Sequence, residues 1–187
     1  MASTIGTDQP GNDTYQTDHM RLIFKEGLSF SGFERDFLYL NMAGKKFQDI
    51  SGVSGIDSIS DGRAAVVADF DNDGDSDIFL TTIQGQGHQL FRNNVGEKNN
   101  FIRISLEGTR SGKDAFGTVV RLKTTQGLMT RIKSGGNGFL AQHDPRLLFG
   151  LGRQNEIQSI EITWPSGKIQ KFGPVEVNCS LKIIEDN

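Results

Sequence analysis

The sequence predicts an all-β protein, with a short β unit in the first half packed on a small antiparallel β-sandwich or barrel domain in the second. Three observations carry this. Apolar residues recur in short runs with a period of two, as at Ile102, Ile104 and Leu106, which is the spacing of one face of a strand. No window sustains the 3.6-residue period of a helix. Glycine is frequent, 23 residues against 4 prolines, and tight turns between short strands are the mark of sandwiches and barrels.

Taken in order, residues 1–20 are polar and nearly free of apolar side chains, which predicts a flexible N-terminal arm. Ordered structure is expected to begin within 21–30. Residues 37–41 read as a strand, 41–44 as a turn and 46–50 as the return strand. Residues 51–62 are rich in Ser, Gly and Asp and predict a loop or short 3-10 turn. Strands follow over 64–68 and 77–83, then a turn at 84–87 and a strand over 88–93. The polar stretch 93–100 marks a boundary, so the chain divides into an arm (1–20), a first unit (21–98) and a second domain (99–187). In that domain, alternation places strands near 101–106, 118–123 and 127–133, with Met129, Arg131 and Lys133 toward water. An apolar run covers 147–151. Ile160, Ile162 and Trp164 share one face of a further strand, and Pro165-Ser166-Gly167 supplies a turn. Residues 168–172, 175–177 and 181–184 complete seven or eight strands. Thirteen phenylalanines against one tryptophan and two tyrosines predict a Phe-heavy core.

Between the strands at 64–68 and 77–83 lies the chemistry. Asp69, Asp71, Asp73, Asp75 and Asp77 alternate, with Gly74 at the sixth position. Crowding carboxylates this closely costs repulsion unless a cation neutralises them. A hard cation taking six to eight oxygen ligands suits such a set, which points to calcium. Asp69, Asp71 and Asp73 would give side-chain oxygens, Asp75 its backbone carbonyl, and Asp77 would close the shell. Gly74 allows a sharp turn through positive φ. An EF-hand is excluded, because position 12 is Leu80 rather than Glu and strands rather than helices flank the loop. A metal-free Asx-rich turn is the alternative, although a plain turn does not need five alternating aspartates. Asp61 and Arg63, just upstream, are candidates to add or orient a ligand or to pair with a loop carboxylate.

Charge is uneven. Residues 1–98 hold 15 acidic and 8 basic side chains, a net of −7; residues 99–187 hold 8 and 12, a net of +4. The basic residues of the second half are scattered singly along strands and read as a solvated face, not a nucleic-acid surface. No apolar stretch approaches 18 residues, so no membrane-spanning helix is predicted. The opening residues lack the basic start and apolar run of a signal peptide. The lone Cys179 excludes an internal disulfide and suits a small buried site. His19, His88 and His143 form no metal-spaced pattern, and no Gly-x-Ser-x-Gly elbow is present. His143 and Asp144 are neighbours on an extended segment and point apart. The glycines of 134–138 lack the features of a phosphate loop and read as a turn or bulge.

Two resemblances follow from ordered motifs. Leu38-Tyr39-Leu40-Asn41, Phe47-Gln48-Asp49-Ile50-Ser51, the Asp69–Asp77 pattern and Leu90-Phe91-Arg92-Asn93 together resemble an FG-GAP or VCBS-type repeat. Such repeats form β-propeller blades and bind calcium in the Asp-rich loop. Asp114-Ala115-Phe116-Gly117, Gly135-Gly136-Asn137-Gly138-Phe139-Leu140, Phe149-Gly150-Leu151-Gly152 and Trp164-Pro165-Ser166-Gly167 occur in the order of an ASPIC/UnbV domain, which follows such repeats in cartilage-acidic-protein-like proteins. The resemblance implies a propeller-blade-like first unit and a calcium-stabilised, non-enzymatic binding or scaffold module of secreted, periplasmic or cell-surface type. It also implies an unidentified protein or glycan partner, with self-association through an exposed blade edge as a further route. The alternative it implies is a calcium-dependent biosynthetic enzyme, a cyclase or tailoring activity. That reading requires a pocket holding His143, Asp144 or Asp114 with shifted proton affinity.

Overall fold

The computed structural model describes residues 34–42, 44–83 and 87–187, with Asp18, Arg21, Leu22 and Lys25 besides. Apart from Asp18, the expected arm over 1–20 lies outside the described residues. So do most of 21–30 and residues 84–86 of the expected turn.

The chain forms two compact units, residues 1–64 with 80–91 and residues 65–79 with 92–187. A boundary at 98 and 99 would keep the Asp-rich loop with the first half; in the compact units, residues 65–79 group with 92–187.

In the first unit, β1 (Tyr39–Asn41) and β2 (Phe47–Asp49) pair antiparallel, with Tyr39 opposite Asp49. The Asn41 side chain accepts the Gly44 amide at 2.7 Å and closes the turn. A single α-helical turn, α1 (Ser51–Ser54), follows where a loop or 3-10 turn was expected. Asp49 creates it by accepting both the Ser51 amide and hydroxyl, and Gly55 ends it in the left-handed region at φ 78°. Three strands come next along the chain: β3 (Gly62–Ala68), β4 (Asp77–Thr82) and β5 (Gln89–Phe91), in the sheet order β3-β4-β5; residues 65–68 of β3 and 77–79 of β4 group with the second unit.

The rest is a two-sheet β-sandwich. One sheet has the order β11-β10-β7-β8 and the other β12-β6-β9. Their strands are β6 (Asn100–Glu107), β7 (Val119–Thr124), β8 (Gly127–Ile132), β9 (Leu147–Gly152), β10 (Ile157–Thr163), β11 (Ile169–Phe172) and β12 (Cys179–Ile184). Seven strands were within expectation, and no barrel closes among the described residues. The pairing is antiparallel except that β12 runs parallel to β6, with Cys179 opposite Ile102. The core lies between the sheets. Ile102, Ile104 and Leu106 of β6 and Phe149 and Leu151 of β9 meet Val120 and Leu122 of β7 and Ile160 and Ile162 of β10. Trp164 joins them, 1% exposed. In β10 the buried positions step from Ile157 to Ile160 because the register shifts between Ile157 and Ser159. The extra residue of a bulge restores the inward face.

Three expectations need correction. The core is aliphatic rather than Phe-heavy: Phe149 is its one fully buried phenylalanine among the described residues, while Phe37, Phe47, Phe116 and Phe139 are exposed. β-Branched side chains fit the pleated inner faces, and most of those phenylalanines sit in turns or short strands. Met129 and Lys133 do not face water. Met129 lies opposite Leu122 and packs on the core, since directly opposed residues share a sheet face. Lys133 is buried, as is Arg103, so the scattered basic residues are not all a solvated face.

Candidate metal centre

β3 and β4 are the strands expected on either side of the Asp-rich loop. Two left-handed residues shape the loop between them, Asn72 at φ 62° and Gly74 at φ 99°. The aspartates also build it. Asp69 accepts the Gly74 amide at 3.1 Å, and Asp73 the Asp75 amide at 3.1 Å. Asp77 accepts Phe70 N–H at 3.0 Å through one oxygen and Asn93 N–H at 2.8 Å through the other. The Asp73–Asp75 bond has the two-residue reach of an Asx turn, while the Asp69 and Asp77 bonds close the loop over longer spans.

The result is a convergence of charge. Ligand-capable oxygens of Asp69, Asp71 and Asp77 all lie within 4.8 Å of one another. Asp69 and Asp77 are buried and Asp71 is exposed. At an effective dielectric of about 20, each such pair repels by roughly 3–4 kcal/mol. Asp73 and Asp75, also expected as ligands, are not part of this triplet. Asp75 nonetheless buries its carboxylate against Gly96, where an added Cβ would sit 2.5 Å from Asp75 Cβ. Burial, with Asp73, Asp77 and Asp71 adding to it, pushes Asp75 up to about 6. Asp69 Oδ1 and both Asp75 oxygens are buried without a hydrogen-bond partner, and Asp73 Oδ2 is buried with Arg92 beyond hydrogen-bond distance at 3.6 Å. Buried oxygens of this kind are costly unless something else satisfies them. Their chemistry, several hard anionic oxygens in one small loop, fits a calcium ion.

Arginines meet the loop from elsewhere in the chain. Buried Arg103 of β6 pairs with Asp69, and its guanidinium lies 5.4 Å from the Phe101 ring centre. Arg92 reaches Asp71 at 2.6 Å and Asp73 at 3.6 Å. Arg146 donates to the Asn72 side chain at 2.9 Å and to the Asp69 carbonyl at 3.3 Å. None of the three stood out as a site residue from sequence. Arg103 sits among the polar positions of an alternating strand, with Ser105 and Glu107, so its pairing left no signal in the sequence. Arg63, expected to reach the loop, lies 3.7 Å from Asp61, and Asp61 is buried.

His143 and Asp144 line a cavity of about 280 Å3. Their partners differ. His143 Nδ1 accepts Val67 N–H at 3.2 Å, and Asp144 N–H donates to the Val67 carbonyl at 3.1 Å. The Asp144 carboxylate is gripped by Arg146, with Nε at 2.9 and 3.0 Å. Burial pushes Asp144 up, but the Arg146 bonds outweigh it and hold the acid below its ordinary range. That is the opposite of a carboxyl tuned to donate a proton near neutrality.

The motifs from Asp114 to Gly167 fall on the second unit. Residues 108–187 match the ASPIC and UnbV family. The chain is also 40% identical over 128 residues to Cartilage acidic protein 1 of Mus musculus, covering 66% of this chain and 20% of that protein. The corresponding human protein is 39% identical over 128 residues, covering 66% and 19%. The chain therefore spans about a fifth of the length of these relatives. An aligned stretch of 66% of this chain takes in residues 69–77 wherever it is placed. The ASPIC and UnbV match contains Arg146 and Asp144. The Asp-rich loop and Arg103 lie ahead of it.

Proposed function

We propose that this chain is a non-enzymatic binding or scaffold module of a secreted or cell-surface protein, stabilised by a calcium ion in its Asp-rich loop. The observation that carries the reading is the Asp69–Asp71–Asp77 convergence, with Asp69 Oδ1 buried and without a hydrogen-bond partner. In this reading Asp69, Asp71 and Asp77 are the main side-chain ligands. Asp73 and Asp75 complete the shell, Asp75 through its carbonyl. The loop with its flanking strands is an FG-GAP/VCBS-type, blade-like unit leading into the ASPIC and UnbV region. The ion offsets the mutual repulsion of the loop and fixes how β3 passes into β4. Similarity to the Cartilage acidic protein 1 relatives supports a module of extracellular type, and we read its partner as a protein or a glycan.

The test is calcium titration by calorimetry on chelator-stripped protein, with thermal melts alongside. Saturable binding and a raised Tm are expected, both lost in Asp71→Ala, whose exposed side chain can be removed without disturbing the apo core. No heat and an unmoved Tm would reject the structural ion.

A further inference from the structure

The cavity beside the Asp-rich loop has a charge pattern that the metal does not explain. Arg131, Lys133, Ser134, Asn137, His143 and Arg146 are among its lining residues, with Asp69 and Asp144. Both acids are already committed, Asp69 to Arg103 and Asp144 to Arg146. Arg146 is thereby committed too. Two cations remain.

Lys133 is the first. It is 6% exposed, and its ammonium donates to the Pro145 carbonyl. Among the described residues no carboxylate lies within ion-pair distance of it. Asp114 and Asp144 act on it through space only. A buried ammonium with one neutral acceptor and two donors to spare is expensive, and proteins normally pair such a group. Arg131 is the second. It stands on edge strand β8, exposed, and its side chain makes no hydrogen bond or ion pair among the described residues. It lines this cavity and the neighbouring one at Gly74, Asp75 and Gly96. Around these cations are polar groups suited to hydroxyls, the Asn137 amide and the Nε2 of His143, whose Nδ1 accepts Val67 N–H; the Ser134 hydroxyl beside them is already bonded to Gly136.

We propose that this cavity binds the oxyanion group, carboxylate or sulfate, of an acidic sugar-sized ligand, with Lys133 and Arg131 as its counter-ions. A volume of about 280 Å3 is at the small end of ligand cavities, which suits one monosaccharide ring. The anion supplies the buried ammonium with the charged acceptor it lacks, and charge-assisted bonds of this kind are the strong ones. The proposal rests on the reading of the chain as a binding module. It does not require the loop to hold calcium, since neither cation is a candidate ligand.

The experiment titrates the whole chain with glucuronate, glucose and inorganic sulfate, in calcium and again in chelator. It reads heat by calorimetry and Tm in parallel. Glucuronate should bind saturably and glucose should not at the same concentration. Sulfate should compete with glucuronate and bind more weakly. Arg131→Ala should weaken glucuronate binding roughly tenfold or more while leaving Tm unchanged, because the side chain is exposed. Lys133→Met should abolish binding. Should that buried substitution unfold the protein, Arg131→Ala decides alone. Binding unaffected by Arg131→Ala, glucose as tight as glucuronate, or no binding of either anion would overturn the site. Sulfate tighter than glucuronate would overturn the sugar-sized ligand in favour of a free inorganic anion. Glucuronate binding in chelator beside a flat calcium titration would reject the structural ion and keep this site. Calcium binding without glucuronate binding would do the reverse.

Discussion

The ring of Phe101 rests directly on the α-carbon of Gly74. A Cβ at position 74 would overlap the Phe101 ring, and the backbone there has φ +99°. Gly74 is therefore held by two independent demands, one local and one from β6. Gly74→Ala should cost about 1 kcal/mol for the left-handed backbone and about 1–3 kcal/mol more for the overlap. Urea melts of a double-mutant cycle separate the two. In a Phe101→Ala background the cost of Gly74→Ala should shrink by at least about 1 kcal/mol. An unchanged cost would mean the ring does not press on the loop.

Arg103 is the buried counter-charge of Asp69, their side chains 7% and 1% exposed. Removing one partner of such a pair strands the other. Arg103→Met should lose about 3–5 kcal/mol in chelator. Adding Asp69→Asn should recover much of that loss, since no buried charge is then left alone. Denaturant melts that show the double variant as unstable as the single one would remove the pair from the account.

Glu185 makes the fold sensitive to acid. One carboxylate oxygen accepts three successive amides, of Thr109, Arg110 and Ser111, at 2.9, 2.8 and 2.8 Å. The other accepts the hydroxyls of Ser111 and Ser166. Burial pushes this acid up, but the Ser166, Ser111 and Arg110 hydrogen bonds outweigh it and hold it at about 2, below the ordinary 4.5. The native state therefore prefers the ionised form more than the unfolded chain does. Its stabilising contribution is complete above pH 4.5 and drains away as pH falls toward 2. Glu185→Gln should be less stable at pH 7 and lose less between pH 4.5 and 2. Parallel acid profiles for the two proteins would exclude this residue as the cause.

The strands were legible because their signal is local. The inward face at Ile102, Ile104 and Leu106 is written in a period of two, and so is that at Ile160 and Ile162. Where the period misled, register decided. Met129 faces the core because β8 pairs with Leu122 opposite Met129, and nothing within 127–133 says which face its neighbour will cover. The phenylalanines misled for a related reason, because composition does not say which of them lie on strands that meet.

The candidate site divides in the same way. Alternating aspartates, a glycine at the sixth position and a strand on each side are consecutive in the chain, so sequence alone determined the loop, its turn and its acidic character. Only the tertiary structure decided which three carboxylates converge and which cations answer them. Arg103 and Arg146 lie 34 and 77 residues from Asp69, and Lys133 is buried beside a cavity that no local pattern marks. Backbone preference and Asx hydrogen bonds act over a few residues and can be read along the chain. Charge pairing acts across space, between residues that only the packed sheets bring together.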